Sequence, residues 1–94
     1  MTTNYPAVIF PTVHNNGTSQ AELIRQISET NTALNNALEK LCLMQPNARD
    51  YYIQDNDRDF PVYPMARQRH DERINAILKV QKEIMEIGEA IADQ

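Results

Sequence analysis

Residues 20–45, QAELIRQISETNTALNNALEKLCLMQ, decide the fold. They contain neither Pro nor Gly. Leu23, Ile27, Leu34, Leu38 and Leu41 recur at three- and four-residue spacing, the period of one helix face. Ile24 and Cys42 lie beside that stripe. Ser19 is placed to cap the first turn, and Glu22 three residues on completes a capping box. The dipeptide Asn16-Gly17 ahead of them signals a tight turn, and Gly17 lets a ligand approach the backbone closely. Pro46 marks the stop, because a residue preceding proline disfavours the helical region.

Downstream, residues 65–93 predict a second helix. Ile74, Ile77, Leu78, Ile84, Met85 and Ile91 share a face, and Val80 and Ile87 broaden it beyond what one two-helix seam uses. Gly88 sits near its centre, where glycine costs about 1 kcal/mol of helix propensity. A packing reason is expected there, the simplest being close approach of another backbone. Between the helices, residues 46–64 form a 19-residue connector holding Pro46, Pro61 and Pro64. Upstream, residues 1–19 form an arm and capping turn. Pro6 and Pro11 bracket Ala7–Phe10, which reads as a short strand or an extended arm rather than a central sheet strand.

The predicted fold is therefore all-α and a single domain over 1–94: two long antiparallel helices with an extended N-terminal arm. A hairpin this slender buries little apolar surface for the backbone it orders, so an oligomeric helical bundle is expected, a dimer being the simplest case. No apolar run reaches the ~18–20 residues of a membrane helix. No basic-then-apolar start marks a secretory signal, so the expected location is cytoplasmic. The net charge of −4 argues against long nucleic acids.

The unusual residues are unevenly placed. All six aromatics, Tyr5, Phe10, Tyr51, Tyr52, Phe60 and Tyr63, fall outside the expected helices. Loop aromatics either pin the loop or offer a face for stacking. Five of the six arginines lie between residues 49 and 73, while the three lysines lie elsewhere. Arginine is favoured for a planar, bidentate grip on carboxylate or phosphate. Pairing with local acids accounts for Arg58 but less well for Arg67, Arg69 and Arg73. Extrapolated back, the apolar face of the second helix places His70 at its centre and Arg73 within it, with Arg67 and Arg69 flanking. Buried charge is costly unless paired, so this end either faces solvent or receives an anion. The bland alternative is a structural His70 bonded to a connector carbonyl.

A second candidate is His14-Asn15-Asn16-Gly17-Thr18, which runs into a helix N-terminus, where free N–H groups and the helix dipole favour an anion. A plain capped turn is its alternative. Metal and cofactor chemistry finds no support. Only His14, His70 and Cys42 could join a zinc set. Asp55, Asp57 and Asp59 have calcium-loop spacing, but Phe60 and Ala66 stand where that loop needs Gly and Glu. No nucleophile, phosphate loop or dinucleotide fingerprint occurs, so no enzyme is expected.

The strings His14-Asn-Asn-Gly-Thr-Ser19, Pro46-Asn-Ala-Arg-Asp-Tyr-Tyr52 and His70-Asp-Glu-Arg73 resemble a family of short phage-encoded proteins. These share an HxNGTS turn, a PNxRDYY connector and an HxxR at the start of the last helix. The resemblance covers residues 14–92, and the arm and the acidic segment Asp55–Pro64 depart from it. It implies a phage origin more than an activity. By analogy of size and style, it also suggests the small helical oligomers with which phages sequester nucleotide-derived immune signals, such as cyclic oligonucleotides or cyclic ADP-ribose. On that reading Arg49, Arg67, Arg69 and Arg73 hold phosphate, and Tyr51 and Tyr52 stack. His14, Asn15, Asn16 and Thr18 hydrogen-bond, and His70 orients or binds. The alternative is a protein-interaction module, an inhibitor or assembly factor presenting its connector to a host or virion protein.

Overall fold

The computed structural model describes residues 4–94, except for the side chains of residues 55–57. It is all-helical among the described residues. Helix α1 spans Gln20–Leu43 and helix α2 spans Val62–Ala92, and the two pack against each other. Two 3-10 segments, Ala48–Asp50 and Tyr52–Asp57, fill most of the connector. Ala7–Phe10 forms no strand.

Local chemistry sets the ends of α1. Ser19 Oγ accepts from the Glu22 N–H at 3.1 Å, the forward half of the expected capping box. The return half is missing, because Arg25 and Gln26 engage the Glu22 carboxylate instead. Helix α1 stops at Leu43, two residues short of the expected end, with the Met44 N–H turned back to the Leu41 carbonyl. Pro46 is the physical cause: the residue before it is steered out of the helical region.

Helix α2 begins at Val62, three residues earlier than predicted. Pro61 is its N-cap, so Pro64 falls in the first turn. A first-turn N–H has no intrahelical acceptor, so a proline there sacrifices nothing. Tyr63 is consequently a helix residue, not a loop aromatic.

The seam between the helices follows a four-three stagger. On α1 the half-buried residues include Gln20, Ile24, Ile27, Asn31, Leu34, Leu38 and Leu41. On α2 the matching series is His70, Ile74, Ile77, Gln81, Ile84, Gly88 and Ile91, all buried or half-buried. This is the spacing of a coiled-coil seam, here running antiparallel. Gln20 Nε2 donates to the Ile91 carbonyl at 2.9 Å, and Gln81 Nε2 donates to Asn35 Oδ1 at 2.6 Å. Gly88 has its expected packing reason, but the neighbour is a side chain rather than a backbone. A β-carbon there would lie 3.0 Å from Ile27 Cγ2.

The core is thin. No residue of α1 is fully buried, and α2 buries only Val62, His70, Gly88 and Ile91. Leu78, Val80 and Met85, on the outer part of the broad apolar face, stay exposed. The chain extends 64 × 35 × 17 Å. No described helix is long and apolar enough to cross a membrane.

Candidate functional site

The PNARDYY string builds the connector end. Asn47 Oδ1 accepts from the Arg49 N–H at 3.1 Å, and its carbonyl accepts from Asp50 at 3.0 Å. The chain thereby tightens into a 3-10 turn that delivers Tyr51 against α2. The Tyr51 and Tyr63 rings meet at a centroid distance of 6.5 Å, tilted by 41°. That contact pins the turn and occupies part of the Tyr51 ring. Tyr52 is 64% exposed and keeps a face free.

His70 lies two turns into α2 from this contact. It is only 4% exposed, and its Nε2 has no hydrogen-bond partner among the described residues. At that nitrogen the structure does not supply the connector carbonyl of the bland reading. Arg67 and Arg73 stand three residues before and after it, on the neighbouring flanks of the same face. Both are exposed and have no carboxylate partner among the described residues, and the same holds for Arg49.

Arg69 differs. Its guanidinium Nη1 contacts both carboxylate oxygens of Glu72 at 3.1 Å. Local pairing, expected to explain it poorly, engages one of its terminal nitrogens, Nη1, on the helix surface. Arg58 neighbours Asp55 and Asp57, whose side chains lie outside the described residues, as does most of the calcium-like spacing weighed above.

The His14–Thr18 turn lies at the opposite end of the hairpin. The Gly17 N–H donates to the His14 carbonyl at 3.2 Å, closing the turn. A β-carbon on Gly17 would sit 2.7 Å from His14 Nε2. In this arrangement the exposed His14 imidazole lies over the space beside Gly17. Gly17 has no positive φ, so the turn does not require a glycine for its backbone conformation. His14, Asn15, Asn16 and Thr18 are all exposed. At ~1.5 Å per residue, α1 holds this turn some 36 Å from the connector. Within one chain the two sets of candidate residues therefore do not meet.

Some well-placed polar residues escaped the sequence reading. Asn31 occupies a seam position between Ile27 and Leu34, and its Oδ1 is buried without a partner. Its seven-residue relation to Ile24 and Leu38 was the available signal. Gln94 clamps the arm: its Oε1 accepts from the Val13 N–H at 2.7 Å, and its Nε2 donates to the Pro11 carbonyl at 2.8 Å. No local pattern announces that contact. No protein-family profile, curated protein or solved structure matches the chain.

Proposed function

We propose that this chain is a phage anti-defence protein that captures a small, phosphate-bearing nucleotide signal and holds it without converting it. One observation carries the reading: the buried, unpartnered Nε2 of His70 between two unpaired arginines, Arg67 and Arg73. A buried polar atom left without a partner costs about 1–3 kcal/mol, so a ligand group that reached this nitrogen would recover that cost. Phosphate suits guanidinium on either side. The free face of Tyr52 suits a base, and Arg49 adds a further cation nearby. Arg69 contributes less, being held by Glu72.

Because the two candidate sets do not meet within one chain, the reading draws them from different subunits. In a head-to-tail pair, the Asn15–Thr18 turn of one copy meets the connector of the other. Its side-chain amides and hydroxyl then read ribose or base edges. Capture needs tight binding and no reactive group, in keeping with the residues present.

The test is calorimetry and thermal shift with cyclic dinucleotides, cyclic trinucleotides and cyclic ADP-ribose isomers. Saturable heat with one class, lost in Arg67→Ala and Arg73→Ala, supports capture. Silence across the panel rejects it.

The connector end also exposes Leu43, Met44, Ile53 and Phe60. This apolar rim favours a second reading, a module that docks on a host or virion protein. Retention of one stoichiometric host protein, with no nucleotide released on heating, selects it over capture.

A further inference from the structure

Two features at the open end of the hairpin have no part in the capture reading. The first is a groove of about 420 Å³ between the helices, walled by Ile24, Ile27, Asn31, Met85 and Ala92 with Gly88 at its base. Its surface is mainly apolar, yet it contains a seam acceptor with no hydrogen-bond partner among the described residues, Asn31 Oδ1. The second is the arm. Pro6 and Pro11 flank Ala7-Val8-Ile9-Phe10, which bends at Ala7, and Gln94 fixes its base. Beyond that clamp Ile9 is 71% exposed and Phe10 50%. An apolar segment that exposes Ile9 and half of Phe10 thus stands beside an apolar groove that contains an unpartnered acceptor.

Area favours a second copy as the occupant. The chain exposes 7566 Å². A compact folded monomer of 10.8 kDa would expose about 5,500 Å². The excess of roughly 2,000 Å² exceeds the ~800 Å² that each partner contributes to a standard interface. Its own arm, clamped at the base, leaves the groove unfilled in this structure. A second copy brings both complements at once, and two-fold symmetry makes the exchange reciprocal.

We propose that the α1–α2 groove receives the N-terminal arm of a second copy of this chain. Ile9 and Phe10 enter between Met85 and Ile27, and a backbone N–H of the Ala7–Phe10 segment donates to Asn31 Oδ1. No residue of the capture site is involved, but the exchange joins two open ends whereas the head-to-tail pair joins an open end to a connector, so the two proposals use different interfaces and are tested separately.

The test places single thiols on arm and groove in the full chain. Cys42 is exposed and is first replaced, Cys42→Ser. Into that background go Ile9→Cys and, at the groove wall, Thr32→Cys, on two chains of different tagged mass. Mild oxidation of the mixture is expected to give a tagged–untagged product whose linked peptides join position 9 to position 32. A chain carrying both substitutions supplies the counter-test. Linkage only within that chain, with no mixed product, assigns the groove to the chain's own arm and overturns the proposal. Absence of any linkage, with helicity intact by circular dichroism, overturns it as well. Deleting residues 1–12 is expected to lower the sedimentation mass at micromolar concentration, and an unchanged mass counts against the proposal.

Discussion

Ile27 Cγ2 stands 3.0 Å from the point where a β-carbon on Gly88 would lie, so one missing methyl sets how closely α1 and α2 approach. The Ile27 methyl sits on the branch point of a β-branched side chain, whose χ1 has one strongly preferred value in a helix. It cannot swing away as a side-chain tip would. Gly88→Ala is therefore expected to destabilise the hairpin by about 1 kcal/mol, despite the gain in helix propensity. In an Ile27→Ala background the same substitution is expected to stabilise, because the opposing methyl is gone. Urea unfolding of the four proteins gives the coupling energy. Additive effects would show that Gly88 answers to something other than Ile27.

Glu22 makes a prediction about acid. The Arg25 guanidinium hydrogen-bonds its carboxylate, and Gln26 adds a second donor, which lowers its pKa from 4.5 to about 2. The same contact raises the pKa of Arg25. A carboxyl depressed on folding stabilises the folded state above its unfolded pKa and loses that contribution as pH falls through the folded value. The window thus runs from about 4.5 down to about 2. The pair is exposed and screened, so the effect is small. Thermal melts of the parent and Glu22→Gln are expected to converge across that window. A constant gap between them would mean that the pair contributes nothing on folding.

The fold was legible wherever the controlling chemistry is local. Ser19 and Glu22 mark the start of α1 because an N-cap bonds within three residues. The apolar stagger gives both helices and the position of His70. Pro64 misled, since a proline reads as a break unless its place within the first turn is known. Arg69 pairs with Glu72 at i+3, a partner that the helical spacing alone makes readable. Asn31 passed unnoticed because counting apolar residues skips a polar member of the seam. The clamp between Gln94 and Pro11 spans 83 positions, and no periodicity reports a contact of that range. Of the candidate site, the arginine and histidine face is a matter of helical period and was readable. The separation of the two residue sets needed only the length of α1.

His70 separates stability from capture. It holds a seam position, is buried, and leaves Nε2 without a partner. His70→Leu removes that unsatisfied nitrogen and continues the aliphatic seam, so it is expected to raise stability by about 1–3 kcal/mol. On the capture reading it also abolishes the thermal shift produced by the nucleotide that binds the parent protein. A variant that is both more stable and unable to bind would identify His70 as a residue retained for its ligand. Gain of stability with binding unchanged would remove it from the site.

Gln94 tests the arm at its base. Its side-chain amide gives one hydrogen bond to the arm and accepts another, at 2.8 and 2.7 Å. A neutral hydrogen bond contributes about 0.5–1.5 kcal/mol net, so two of them hold a short segment against its conformational entropy. Gln94→Ala is expected to release the arm while leaving the hairpin intact, because Gln20 also reaches the C-terminal backbone through the Ile91 carbonyl at 2.9 Å. Amide exchange at Val13 should then speed up by about ten-fold, the equivalent of ~1.4 kcal/mol of lost protection. Exchange within α1 and α2 should not change. Gln94→Glu keeps the acceptor for the Val13 N–H but loses the donor to the Pro11 carbonyl, so it should retain part of the protection. Equal exchange in all three proteins would show that the clamp does not restrain the arm in solution.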